Sequence, residues 1–328
     1  MIINAGLLKE RMNRYGSKGL PFICGVDFEL SKGFFISDPM EANDILWEIN
    51  GVGNHTVVDA PRRVDGDLLT VTGADGVDSY SKRFDVIRSG LLRGDSFLTN
   101  LTVATKVETP LTLKDIFERS SARYKLLIPN EFVCFSPEIF VKISHDNSIH
   151  TYPMKGTIDA TLPNAEQTLM DDYKELCEHN TIVDLLRNDL SMVANHVRVR
   201  RFRYVEKLAT DHGDILQTSS EITGNLGSDW HRRLGDIIFS LLPAGSVSGA
   251  PKPATLRLIR EAEEAPRGWY SGIMGYYDGY TFDSAVMIRC IEQRKEGLYF
   301  HSGGGITVNS DMQSEYDEVL QKVYLPIK

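Results

Sequence analysis

From Glu131 onward the chain switches repeatedly between strand-like and helix-like patterning, and this order limits the possible folds more than any other feature. EFVCFSPEIFVKISHDNSIHTYPMKGT reads as two or three strands with a tight turn at His145-Asp146-Asn147-Ser148. A long helix is expected over 163–190, followed by strand-like pieces through RVRRFRYVEKL (198–208) and a helix over 230–242. The Gly-rich segment PAGSVSGAPK (243–252) runs into a helix over 253–262. Strands over 284–294 and 298–302 are joined by Lys-Glu-Gly, and a last helix starts near Gln313. Long antiparallel strands separated by helices predict an α+β fold with more than one sheet.

Ahead of this the chain is less regular. The first third reads as loop-rich, with turn residues and short apolar runs mixed over 59–79. SYSKRFDVIRSGLLRGD reads as a helix closed at Gly94, SFLTNLTVATKVE (96–108) as a strand, and 111–125 has helical spacing after Pro110. The 328 residues leave room for one large domain or two. With 45 acidic against 36 basic side chains, the net charge of −9 lacks the basic footprint of a partner for nucleic acid or a membrane surface. Any anionic ligand must therefore be held by a local cluster of cations or by a metal. Cys24, Cys134, Cys177 and Cys290 are far apart and form no CxxC, which suggests neither a disulfide framework nor a zinc site. No apolar run reaches the roughly 18 residues that span a bilayer, and the N-terminus lacks a signal-peptide core, so a reducing, cytoplasmic setting is expected.

Several constellations have chemical potential. A two-residue loop at Asp146-Asn147 would set Glu138 directly opposite Lys155 across a hairpin, with Pro153 able to shift the register. The pair reads either as a cross-strand ion pair or as an acid and a nucleophile, with the lysine made neutral by burial. Glu315 and Glu318 share one helix face with Lys322 close by, and Glu175 and Glu178 are spaced alike. Such carboxylates form a solvated face, or with water they suit Mg²⁺. Arg289 folds back toward Gly303-Gly304-Gly305, where it could grip a carboxylate beside converging backbone N–H groups; the bland reading is a glycine-rich turn. GSVSGAPK (245–252) lacks Walker spacing, but it can present Ser248 to an anion at a helix start. The eight histidines form no HExxH or HxH pattern, and a Ser-His-Asp triad stays open but has no GxSxG elbow to support it.

Together these segments resemble the chorismate-utilising enzymes. The resemblance runs from about Gly94 through SPE (136–138), PMKGT (153–157), IVDLLRNDL (182–190), GSVSGAPK (245–252), RGWYSG (267–272), MIR (287–289), SGGGI (302–306) and EYDEVLQK (315–322), in that order. It implies a four-layer α+β fold, with two antiparallel sheets packed face to face and helices outside. It also implies one catalytic domain over 1–328, whose residues 1–93 match poorly and show no tryptophan-binding element. Lys155 in PMKGT makes the chain similar to the aminodeoxychorismate synthase component I branch, since the anthranilate and isochorismate branches carry Ala there. Isochorismate and salicylate synthases use a lysine on an earlier strand, and GDSFLTNLT (94–102) has none.

The resemblance implies roles residue by residue. Lys155 is the nucleophile that adds at C2 of chorismate. Glu138 is the general acid at the departing C4 hydroxyl, after which ammonia from a separate glutamine amidotransferase adds at C4. Glu178, Glu315 and Glu318 match Mg²⁺ ligands. Arg289, Tyr270, Lys322, Ser248, Thr157 and the Gly303 and Gly305 backbone match substrate-binding positions. Gln217 stands where the family often has histidine, so no catalytic histidine is assigned. The alternatives are anthranilate synthase component I or isochorismate synthase and, more remotely, an inactive binding subunit. The joint presence of Glu138, Lys155, Glu178, Arg289, Glu315 and Glu318 speaks against the last.

Overall fold

The computed structural model describes residues 2–55, 68–73, 76–210 and 213–327. Among these, the strands gather into one sheet of ten and one of nine. Every pairing within them is antiparallel. Side chains that alternate along each strand explain how the layers stack. In Phe132–Ser136, Phe132 and Cys134 enter the core between the sheets, while Val133 and Phe135 point out toward the helix Leu113–Arg119. In Phe22–Val26, Ile23 faces between the sheets, and Phe22, Cys24 and Val26 face the opposite way. There they join a cluster with helices Ala5–Gly16, Tyr173–Ser191 and Leu234–Leu241. Helices Val77–Leu92, Lys252–Glu263 and Met312–Gln321 cover the outer face of the second sheet. The expected pair of face-to-face antiparallel sheets with helices outside is the fold observed. A fully buried side chain such as Phe34 or Phe84 contributes about 1.5–3 kcal/mol to holding the layers together. Among the described residues no helix is long and apolar enough to cross a membrane.

Several local expectations need correction. The first third is not mainly loop. Ile2–Asn4, Phe22–Val26 and Lys32–Ile36 join the first sheet, and Leu46–Ile49 joins the second. FICGV is buried from end to end because both of its faces are covered, so it lacks the alternation that marks a half-exposed strand. Positions 59–67, 74 and 75 of the 59–79 segment lie outside the described residues. The helical spacing over 111–125 holds only for Leu113–Arg119, after which Tyr124–Ile128 is a strand. The helix expected over 163–190 is two, Ala165–Asp171 and Tyr173–Ser191. Asp172 between them is extended, and its side chain accepts from the Glu175 N–H at 3.0 Å, capping the second helix. The strand expected over 284–294 is also two. Phe282–Val286 lies in the first sheet and Cys290–Arg294 in the second, and Arg289 sits in the crossing with φ +56°.

The hairpin register is corrected as well. Lys142 pairs with His150 and Ile143 with Ile149, which leaves a three-residue loop with Asn147 at φ +63°. Beyond Pro153 the strand Met154–Asp159 pairs with Gly213–Asn225, and Lys155 lies opposite Thr218. Glu138 and Lys155 are therefore not cross-strand partners, and only tertiary packing brings them to one cavity.

Candidate active site

Segments of both sheets and the loop 244–250 enclose a cavity of about 260 Å³. Part of its wall is made by the paired strands Leu98–Glu108 and Gly297–Ile306, with Gly303 opposite Thr102 and Gly305 opposite Asn100. Opposed residues share a face, so Gly303 and Gly305 lie on the Asn100 side and Gly304 on the other. A Cβ at Gly305 would sit 3.1 Å from Leu98 Cδ1 and 3.7 Å from Lys155 Nζ. One at Gly304 would sit 3.3 Å from Glu315 Oε2. The glycine run is thus a strand kept bare on both faces, with a charged side chain approaching each.

Glu138 and Lys155 both line this cavity. The Glu138 carboxylate accepts a short hydrogen bond from Ser246 Oγ. Burial pushes its pKa above the usual carboxylate range; the Ser246 bond and the Lys155 and Lys322 charges oppose the shift without cancelling it. Lys155 behaves in the opposite sense. Burial pulls its pKa down, but Glu178 at 3.0 Å, with Glu175 and Glu318 further off, more than compensates, and the net shift is upward. The lysine is held as an ammonium paired with Glu178, which corrects the expectation that burial alone makes it neutral.

A second recess of about 390 Å³ shares Lys155, Gly156, Arg289, Gly305, Glu318 and Lys322 with the first. Glu175, Glu178 and Glu315 line it too, so the first two turns of two helices bring four carboxylates to one space. Burial raises the pKa of Glu315, and the neighbouring Glu318 and Glu178 charges add to the effect. Burial raises that of Glu175, with Glu178 adding to it. Lys322 Nζ bridges Glu318 at 2.7 Å and the Gly303 carbonyl at 2.8 Å. Among the described residues no three His, Cys, Asp or Glu side chains stand as a ready metal cage. The donors are nonetheless hard oxygens, as Mg²⁺ prefers. Gly156 and Gly304 keep clear the space where Cβ atoms would crowd Glu175 and Glu315 to 3.2 and 3.3 Å.

The remaining expected residues are placed as follows. Arg289 lines both recesses and donates to the Lys322 carbonyl at 2.6 Å. Tyr270 lines the main cavity and stacks on His301, with ring centroids 5.2 Å apart. Thr157 is exposed and lines only the carboxylate recess among these two. Ser248 is not brought to the cavity: it is fully buried, and its Oγ donates to the Ala244 carbonyl at 2.8 Å. Two residues earlier, Ser246 faces the cavity instead, because one short helical turn over Gly245–Ser248 sets the two hydroxyls in different directions. Gln217 lines the cavity as well, directly opposite Thr157 in the strand register. Sequence reasoning missed Asn100, Leu98 and His301, which also line it; a strand-period reading of LTNL beside the glycine run is the signal that finds the first two. It also missed that Cys134 and Cys290 are register partners on adjacent strands, both free thiols.

The cavity thus brings together a carboxyl pushed toward its neutral form, an ammonium paired with a carboxylate, and an arginine lining the same space as the bare glycine strand. Residues 58–328 match the chorismate binding enzyme family, and the chain belongs to that family. The match begins ahead of Gly94, where the recognisable motifs start. A Haemophilus influenzae protein described as an uncharacterised PabA-like protein is 49% identical over 322 residues, covering 97% of this chain and 96% of that one. Anthranilate synthase component 1 of Arthrobacter globiformis is 37% identical over 202 residues, 59% of this chain and 36% of that one. The fold is similar to MenF, the menaquinone-specific isochorismate synthase from Escherichia coli, with a TM-score of 0.71, 17% identity, and 98% and 82% of the two chains covered. A chorismate-utilising reaction is thus the general activity to which the site belongs.

Proposed function

We propose that the chain aminates chorismate at C4 to give 4-amino-4-deoxychorismate, using ammonia supplied by a glutamine amidotransferase partner. The observation that carries this reading is the Lys155 amine in the cavity wall, 3.7 Å from where a Gly305 Cβ would sit. The neighbouring strand offers Leu98 and Asn100 there and no second lysine. Lys155 first gives up its ammonium proton to solvent; as free amine it then forms a bond to C2, the ring double bonds shift, and the C4–O bond breaks. The oxygen takes the Glu138 proton and leaves as water. Ammonia then adds at C4, the double bonds shift back, and Lys155 is released. Arg289 and Lys322 hold the substrate carboxylates, and Tyr270 walls the site. Glu178, Glu315 and Glu318 would hold Mg²⁺, which supplies positive charge for a substrate carboxylate.

The test is to incubate the purified chain with chorismate, Mg²⁺ and ammonium and to separate the products by chromatography. 4-Amino-4-deoxychorismate is the expected product; anthranilate or isochorismate in its place sinks the reading. The second reading, an anthranilate-forming reaction, draws on the 37% identity to the Arthrobacter globiformis protein, and the same chromatogram decides between the two.

A further inference from the structure

Arg267 does not line the main cavity, yet it touches three of the segments that do. Its guanidinium has five N–H donors, and the structure gives five acceptor atoms on four residues. Nε donates to Glu263 Oε2 at 2.8 Å, and the two Nη2 bonds go to Glu263 Oε1 at 2.6 Å and the Asn100 carbonyl at 2.8 Å. Nη1 donates to the Val247 carbonyl at 2.8 Å and to Ser271 Oγ at 3.5 Å. Glu263 Oε1 also accepts from the Thr102 N–H at 2.9 Å, and the guanidinium lies over the Phe28 ring at 4.5 Å. Arg267 is 5% exposed, so each of these bonds is shielded from water. The backbone is fixed as well: the Glu29 carboxylate accepts from the N–H of Arg267 at 2.8 Å and of Gly268 at 3.0 Å.

The three segments carry Asn100 on the paired strands, Ser246 and Val247 in the loop, and Tyr270 beside Ser271. Val247 follows directly on Ser246, whose hydroxyl donates to Glu138. We propose that Arg267 is a positioning residue: its fork fixes the 244–250 loop against the Leu98–Glu108 strand and so holds Ser246 on the Glu138 carboxylate. The inference rests on the reading of Glu138 as general acid. A lysine in its place keeps the charge but has no planar fork, and it cannot reach Glu263, Val247 and Asn100 together. The charged groups that bear on Glu138 are Lys155 and Lys322; neither touches Arg267, so their effect stays when the clamp is loosened.

The experiment compares pH–rate profiles of the full chain, Arg267→Lys, Ser246→Ala and the double variant, with Mg²⁺ and ammonium present. The Ser246 bond favours the ionised Glu138, so losing it raises the pH at which the acid loses its proton. Ser246→Ala is expected to move the alkaline fall of kcat to higher pH. Arg267→Lys is expected to move it the same way and to lower kcat about tenfold with KM within about threefold. The double variant is expected to move no further than Ser246→Ala alone, because the two act through one bond. If Ser246→Ala moves the profile and Arg267→Lys does not, or if the two shifts add, the positioning role is wrong. If Ser246→Ala itself leaves the profile in place, the general-acid reading of Glu138 fails instead. Should Arg267→Lys not fold, Glu263→Gln, which weakens the fork and keeps an acceptor, replaces it with the same expected outcomes.

Discussion

The two sides of Lys155 use the same side chain for opposite ends. On one side Glu138 stands alone against Ser246, and burial drives it toward its neutral form. On the other, Glu175, Glu178, Glu315 and Glu318 crowd together, and Lys155 and Lys322 relieve their repulsion. A solitary buried carboxyl is held toward its neutral form because ionising it costs solvation, which is what the proposed proton-donor role draws on. In a cluster each charge makes its neighbours costlier to ionise until a positive charge arrives, which is the basis for proposing a cation there. Lys155 lies between the two and is kept charged by the cluster.

The largest test of this contrast removes the residue in the middle. Lys155→Ala is expected to reduce C4 amination by at least about a thousandfold, measured as product formed per minute with ammonium as nitrogen source. A variant that still aminates at the unmodified rate would mean that the lysine serves only the carboxylates. Next, Glu315→Gln leaves Glu138 untouched but weakens the cluster. It is expected to raise the Mg²⁺ concentration for half-maximal activity by about 10–100-fold, while the alkaline limb of the pH profile stays put. Movement of both together would erase the distinction between the two sides.

The smallest effect separates stability from activity. The Glu138 pKa is raised in the folded chain, so between its unfolded and folded values the folded chain binds more protons. Its contribution to stability is therefore lost as pH rises through that window. Glu138→Gln removes this cost. It is expected to raise Tm by a few degrees at pH 7 and to leave it unchanged near pH 4, while losing about 10²–10⁴-fold in rate. Calorimetry at the two pH values checks this, and a lower Tm at pH 7 would show that the carboxylate is stabilised rather than strained where it sits.

The elements whose cause is local were legible in the chain. The helix Val77–Leu92 closed at Gly94, the strand Leu98–Glu108 and the final helix from Met312 follow periodicity and caps. What escaped depends on long-range packing or on which way a single side chain points. Phe22–Val26 hides its strand period because two layers cover it. The helix break at Asp172 depends on one side chain bonding to the Glu175 N–H rather than to water. Ser246 and Ser248 look alike in GSVSGAPK, and only the short turn that carries them decides which hydroxyl meets Glu138. Arg267 was visible as the first letter of RGWYSG, but its five bonds go to four residues from separate stretches of chain.

The sequence by itself determined the family and the two-sheet architecture and offered a set of candidate site residues, because motifs and hydrophobic periods are properties of neighbouring residues. Only the tertiary structure decided how that set is wired: that Lys155 pairs with Glu178 and faces no hairpin partner at Glu138, that Ser246 holds the acid, and that the glycine run is an open strand. The physical reason is distance. Charge and hydrogen bonding act over a few ångströms, and which groups come that close is set by how strands pair and layers pack, not by their order along the chain.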